Sequence, residues 1–398
     1  MKKFRDYRVR LYPEYVIGEG TTKEVGELVK KNGGTKALVV GYGDDVLPEI
    51  YETVRDSLDE AGIAWVDLPG VIMNPRRSLV QKGVEFAKAE NVDFILAIGG
   101  GSSIDSAKAI AFGAVYDGDV WDFYSGKARP EKTLPVGSIN TIAASGSETS
   151  KASVITDDID DGRKHGINVE WSRSVFAIED PLNTYSVPPK ATANGAVDVF
   201  SHTFDSFFSP YSSMIADEFA AGLMKTVVRY TPIAMKDPTN YEARFQLMTC
   251  CPFSICGITT LGRQYPSPGA SASHPLEQMA SVYDVNHGAA LAVIMPAVLK
   301  YFVASGEEAV IQRVAAFAHK VFNVEVYPDD LVDTCNKGIQ ALENWLDNIG
   351  MPKTLTELGL PEDAPETLAD AGEYRNGKIN IMVPMDHDQA VEFYKSIM

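Results

Sequence analysis

The sequence predicts two domains: residues 1–186 as an α/β unit around a parallel sheet, and residues 187–398 as an all-helical unit. Three observations carry this. Short, continuously apolar segments such as Phe94-Ile95-Leu96-Ala97-Ile98 alternate with amphipathic segments through the first half, and strands apolar on both faces belong in a parallel sheet covered by helices. The pattern changes at Ser186-Val187-Pro188-Pro189, after which helical spacing runs nearly to the end. Finally, 398 residues exceed one ordinary hydrophobic core.

Taken in order, residues 22–31 set Val25, Leu28 and Val29 at helical spacing, and 37–40 form a short buried strand. Residues 47–60 align Ile50, Val54 and Leu58 on one helix face, and 64–68 supply the next strand. A helix over 78–90 precedes the strand at 94–98, with later strands at 134–139, 154–156 and 175–178. From Thr192 the helices are expected to break at Pro210, Pro232, Pro238, Pro266–Pro268, Pro328 and Pro361. A cleft is expected between the domains.

Composition narrows the function classes. With 45% hydrophobic and 23% charged residues the chain reads as soluble and globular. A net charge of −18 disfavours nucleic-acid backbones and anionic membrane surfaces as partners. Met1-Lys2-Lys3-Phe4-Arg5-Asp6 has no apolar run behind it, so no signal peptide is expected. The apolar run 289–299 is too short to span a bilayer and contains Pro296. Cys250, Cys251, Cys256 and Cys335 form no metal or disulfide pattern and read as reduced thiols of a cytoplasmic protein.

The chemistry gathers at four places. Gly99-Gly100-Gly101-Ser102-Ser103 follows an apolar strand and opens a helix, so bare backbone N–H groups and a positive dipole end can meet a phosphate. It is not the G-x-G-x-x-G fingerprint. Asp44, just past the first α/β strand, can accept from an adenosine ribose and would repel a 2′-phosphate, which favours NAD over NADP; equally, Asp44 and Asp45 form an acidic loop that caps the next helix. Residues 140–148 follow another strand with small hydroxylated side chains suited to a pyrophosphate or nicotinamide wall. In the helical half, Asp198 and His202 share a helix face, and His274 and His287 add two imidazoles. One carboxylate and three imidazoles suit Fe²⁺, with Zn²⁺ an alternative, although a lone Asp-x-x-x-His pair also serves packing.

Together these stretches resemble the iron-dependent (group III) alcohol dehydrogenase family, most closely its butanol-dehydrogenase-like branch. The matching text runs from Asn74-Pro75-Arg76 through Gly99-Gly100-Gly101-Ser102, Trp121-Asp122-Phe123-Tyr124, Ala144-Ser145-Gly146-Ser147-Glu148 and Glu179-Asp180-Pro181 to Asp198-Val199-Phe200-Ser201-His202 and His287-Gly288. The resemblance implies a dehydroquinate synthase-like architecture, with a dinucleotide-binding domain followed by a helical metal-binding domain. It implies Asp198, His202, His274 and His287 as metal ligands. Gly100, Gly101 and Ser102 would hold the pyrophosphate, with Asp105 close by; Asn74 would also bind the cofactor, Thr141, Ser145 and Lys164 would line the nicotinamide side, and Asp44 the ribose.

The implied activity is interconversion of a small alcohol and its aldehyde with NAD(H), or NADP(H), the metal acting as Lewis acid on the substrate oxygen. Two departures fall on the substrate side. Gln278 stands where the branch has a second histidine, and the His274–His287 spacing is one residue short. Residues 265–273 also differ from the usual text. Alternatives are a non-redox enzyme of the dehydroquinate-synthase kind or a silent cofactor-binding protein, but Arg263 stands nearly alone as a basic group between Pro252 and Leu276, which argues for an uncharged substrate. A homodimer or larger assembly is expected through edge pairing of residues 7–17.

Overall fold

The protein is described here by a computed structural model covering residues 7, 9–209, 211, 213–263 and 272–398. It separates into two compact units, Arg10–Val187 and one built mainly from Pro188–Met398.

In the first unit, β1 (Glu14–Ile17), β2 (Lys36–Gly41), β3 (Ala64–Leu68), β4 (Phe94–Gly99), β5 (Val136–Asn140) and β8 (Phe176–Glu179) form one sheet in the order β1-β8-β5-β4-β2-β3. Every pairing in it is parallel. The cause is visible in β4, all of whose residues are buried. Phe94, Leu96 and Ile98 enter the core on one face with Val25, Val54 and Leu58 of α1 (Val25–Lys31) and α2 (Pro48–Ala61). Ile95 and Ala97 enter the other with Val84, Ile104 and Ile110 of α3 (Arg77–Ala89) and α4 (Gly101–Ala114). Each large aliphatic so enclosed contributes about 1.5–3 kcal/mol relative to exposure. The α/β fold read from the sequence is therefore present.

Leaving aside the edge strand β1, the chain order across the sheet is second, first, third, fourth, fifth, so the direction of winding reverses between β2 and β4. Ligands in such sheets bind beyond the carboxyl ends of the strands at that reversal. Residues 154–156, expected as a further strand, do not join the sheet. They lie in β6 (Ala152–Thr156), which pairs antiparallel with β7 (Lys164–Asn168) as a separate hairpin. A short α5 (Trp121–Tyr124) precedes β5.

The second unit contains α6 (Pro189–Phe207), α7 (Met214–Lys236), α8 (Tyr241–Ile255), α9 (Met279–Val282), α10 (His287–Ala304), α11 (Glu308–Phe322), α12 (Leu331–Asn348), α13 (Ala364–Asp370) and α14 (His387–Lys395). Its most apolar helix, α10, is long and apolar enough to cross a membrane by length and composition, but 72% of it is buried within the protein as a core helix. Pro232 does not break the chain as expected: α7 runs through it to Lys236. The ring removes one intrahelical bond close to the helix end, where only one further turn must be held. Pro238 does lie beyond the end of α7, whereas Pro210 and Pro266–Pro268 fall outside the described residues. The unit is not wholly helical either. Tyr374–Arg375 (β9) and Lys378–Ile379 (β10) form a small hairpin around Asn376-Gly377, both at positive φ (54° and 75°), the turn that an Asn-Gly pair favours.

Candidate active site

At the carboxyl ends of β2, β4 and β5 the chain is shaped around small residues. A Cβ on Gly99 would meet Ser103 Oγ, one on Gly100 would lie 2.6 Å from Ile142 Cγ2, and one on Gly101 would meet Ser145 Oγ. Gly99 also holds φ 143°, a region L side chains avoid. Gly100 caps α4 in extended conformation, so the first N–H groups of that helix have no intrahelical acceptor. The result is a cradle for an anion that any side chain would fill. Thr141 is joined to it, its N–H donating to Gly99 O at 3.2 Å. Ser145 Oγ accepts from Ser147 N at 3.3 Å. Asn74 sits at φ 59° in a loop tied to the β6–β7 hairpin, since Thr156 N donates to Pro75 O at 2.7 Å and Lys164 pairs with Thr156.

Asp105 is turned into the loop wall. Its carboxylate accepts from Ser147 Oγ and, at 3.0 Å, from Val154 N. Beside it lies Lys108, a fully buried ammonium that donates to Ser147 O (2.7 Å), Ser147 Oγ (3.0 Å), Ser150 O (2.9 Å) and Ala152 O (2.7 Å). Burial pushes Lys108 down to about 8, against the pull of Asp105 and Glu148. Sequence reasoning missed Lys108; the available signal was a lone charge among Ala107, Ala109 and Ile110 on a buried helix. Asp44 lies just past β2, paired at 3.0 Å with Arg55 of α2.

In the helical unit Asp198, His202 and Asp205 project from α6 at positions i, i+4 and i+7. The ligand atoms of Asp198, His274 and His287 lie within 4.8 Å of one another. His202 stands outside that mutual set but approaches it: its Nε2 is 3.7 Å from Asp198 Oδ1, and its ring stacks on His274 with centroids 5.0 Å apart. His287 Nε2 is 3.8 Å from the same Asp198 oxygen.

The imidazoles are oriented by two carboxylates that sequence reasoning missed. Asp205 accepts from Ser273 N (2.6 Å), Ser273 Oγ (2.8 Å) and His274 N (3.1 Å), and pairs with His274 Nδ1 at 2.6 Å. Glu277 accepts from Ala280 N at 2.8 Å and pairs closely with His287 Nδ1. A carboxylate on Nδ1 fixes the tautomer that leaves Nε2 with its lone pair outward. Tyr394 of α14 steadies the same stretch, its hydroxyl donating to Leu276 O at 2.7 Å. His287 opens α10 next to α6, and the close approach is allowed by Gly288, whose Cβ would run into the Asn194 backbone.

Asp198 Oδ1 and His274 Nε2 are buried without a hydrogen-bond partner among the described residues, an arrangement that is costly unless something else satisfies those atoms. Two ligands on one divalent ion at about 2.0–2.2 Å cannot stand more than about 4.4 Å apart, and the 3.7 and 3.8 Å separations comply. Burial pushes His202 down to about 4, with His274 and His287 adding to the effect and Asp198 opposing it. It is therefore neutral at physiological pH, as a ligand must be. The residues fit a metal. A second cluster, Asp157, Asp161 and His165, is different: Asp161 is taken by His165 at 2.9 Å and Asp157 by Arg77 at 3.1 Å.

Comparison with known proteins agrees with this geometry. The family model "Iron-containing alcohol dehydrogenase" matches residues 13–181, and the model for the C-terminal part of the Fe-containing alcohol dehydrogenase family matches residues 192–398. The chain belongs to the iron-containing alcohol dehydrogenase family. Within it, the chain is similar to NADH-dependent butanol dehydrogenase A of Clostridium acetobutylicum, 33% identical over 95% of this chain and 96% of that protein. It is 29% identical to an NADPH-dependent aldehyde reductase of Escherichia coli over 81% and 82%. The crystal structure of NADH-dependent butanol dehydrogenase A from Thermotoga maritima superposes with a TM-score of 0.90 at 33% identity, covering 99% of both chains. These place it in the butanol-dehydrogenase-like branch, an NAD(P)-dependent, iron-containing oxidoreductase of alcohols and aldehydes. The non-redox alternative is not favoured.

Arg263 has a different role from the one a substrate-facing cation would play. It is buried, ion-paired to Asp217, and donates to Ser206 O and, at 3.0 Å, to Thr259 O. Arg313 shares the same Asp217. The substitutions at 265–271 lie outside the described residues. Gln278 is the N-cap residue of α9, and its amide donates to Pro275 O at 3.3 Å.

Proposed function

We propose that this protein interconverts a small, uncharged primary alcohol and its aldehyde, preferring NAD(H), with Asp198, His202, His274 and His287 holding Fe²⁺. The observation that carries this reading is the convergence of Asp198 Oδ1 and His274 Nε2, both buried and unpartnered among the described residues, with His274 Nδ1 and His287 Nδ1 anchored on carboxylates. When bound, the ion supplies Lewis acidity to the substrate oxygen and the nicotinamide takes or gives the hydride.

The chain's own residues supply the rest. Asp205 and Glu277 keep two imidazoles in the ligating tautomer. Gly100, Gly101 and Ser102 offer backbone N–H groups to the pyrophosphate, Asn74 is a further cofactor-binding residue, and the loop bearing Thr141 and Ser145, held from beneath by Lys108 and Asp105, flanks the nicotinamide together with Lys164. Asp44 accepts from the adenosine ribose. Arg263 is occupied by Asp217, which supports an uncharged substrate. Gln278 cannot titrate, so the proton leaves by water or a ribose hydroxyl. The free cysteines support a cytoplasmic location, and the edge position of β1 supports a homodimer or larger assembly.

The test is iron content after anaerobic reconstitution, combined with NADH and NADPH oxidation across a panel of short aldehydes. One equivalent of iron, lost in Asp198→Ala together with turnover, is expected. Turnover that persists without metal would overturn the reading.

A further inference from the structure

Around the end of β2, on the side of its neighbour β3, lies a charge arrangement that the proposed function does not use. Arg55, on α2, is shared by two carboxylates: Nη1 donates to Asp44 Oδ2 at 3.0 Å and Nη2 to Asp67 Oδ2 at 2.5 Å. Its guanidinium carbon also lies 5.4 Å from the Tyr51 ring centroid and 5.2 Å from that of Trp65, which fixes the plane of the fork. Asp67 stands on β3 opposite Val39 of β2, so it belongs to the rigid sheet. Two of its atoms are committed differently: Oδ2 takes Arg55, while Oδ1 is buried without a hydrogen-bond partner among the described residues. The side chain of Asp44, by contrast, is 55% exposed.

We propose that Asp67, acting through Arg55, makes this end of the site select NADH over NADPH. Arg55 alone would be an attractive partner for a 2′-phosphate, since guanidinium forks match phosphate oxygens. Here one cation faces two carboxylates, leaving a net charge of about −1 where the 2′ substituent of a bound cofactor falls. Both Nη atoms of the fork are already engaged by carboxylates, so a phosphate would have to displace one of them. Asp44 is meanwhile held in place as an acceptor for a ribose hydroxyl. Asp67 is thus a positioning residue that touches no cofactor, and the inference rests on Asp44 facing the adenosine ribose.

The experiment measures dissociation constants of NADH and NADPH by nicotinamide fluorescence on the full-length protein. In Asp67→Asn the remaining Arg55–Asp44 pair is neutral, and the ratio of the two constants should move toward NADPH on the order of tenfold, the effect of removing one charge several ångströms from a phosphate. In Arg55→Leu two carboxylates stand without a cation, and the ratio should move the other way. The opposed directions distinguish this from general damage to the loop, which would weaken both cofactors alike. Asp44→Ala separates the two levels of the argument. If it shifts the ratio toward NADPH while Asp67→Asn and Arg55→Leu do not move it in opposite directions, the proposal is overturned and the ribose reading stands. If Asp44→Ala leaves the ratio unmoved, both fail. Should Asp67→Asn not fold, Arg55→Leu decides by the same criterion.

Discussion

Replacing Asp205 with Asn tests whether the proposed metal centre is built by its supporting carboxylates. The wild-type side chain accepts from Ser273 N, Ser273 Oγ, His274 N and the Nδ1–H of His274. An amide keeps one oxygen, enough for the two contacts to Ser273. Its NH₂ group then faces the His274 N–H and Nδ1–H, donor against donor. The ring is relieved only if Nδ1 becomes an acceptor, which puts the proton on Nε2 and removes the lone pair meant for the ion. Loss of such an outer partner weakens metal affinity by about 10–100-fold, or roughly 1.4–2.8 kcal/mol. The assay is a competitive chelator titration of the iron-loaded protein, with the melting temperature of the metal-free form measured alongside. Asp205→Asn should weaken iron binding by that factor, and turnover at subsaturating iron should fall in step. An iron affinity within twofold of wild type, in a variant whose circular dichroism spectrum matches wild type, would refute the orienting role.

Glu179 is held well above the usual carboxyl range by burial, with the nearby Glu148 adding to it and Asn140 opposing. Its folded-state value is raised, so the folded state keeps a proton the unfolded chain has lost, and stability falls as pH rises above the ordinary glutamate range. Glu179→Gln should therefore raise the melting temperature more at pH 8 than at pH 5; an equal change at both would refute the assignment. Gly288→Ala drives a methyl into the Asn194 backbone beside His287 and should destabilise the protein by roughly 1–3 kcal/mol, read by denaturant unfolding, with weaker iron binding. Gln278→His adds a titratable group where none stands and should introduce a new ionisation between about pH 6 and 7 into kcat/KM; an unchanged pH–rate profile would remove residue 278 from the proton path.

What was legible in the sequence followed local periodicity. The strand at Phe94–Gly99 is apolar on both faces, and its burial against helices on either side follows from that pattern alone. The glycine triplet was readable because each position needs the absence of a side chain. The strand at 154–156 was expected, but its place in a separate hairpin with β7 was not, because a short β-branched run does not state its pairing partner. The β9–β10 hairpin was overlooked although Asn376-Gly377 carries the turn signal, since strands of two residues have no periodicity to detect.

The site divides along a physical line. Ligand candidates are rare residue types, and with only six histidines in the chain their clustering near apolar text stands out. Asp205 and Glu277 belong to the commonest class of surface residue, with 54 acidic side chains to choose among, and only three-dimensional contact separates a buried imidazole anchor from a solvated charge. Yet one constraint narrows the choice. A helix that presents Asp198 and His202 inward presents position 205 inward too, and a carboxylate forced into an apolar interior must find donors. In this chain the donors are the backbone and ring of the next proposed ligand, His274. The same burial that makes Asp205 expensive thus brings a distant segment of chain beside Asp198 and His202, so folding and the placement of the proposed ligands are enforced by one interaction.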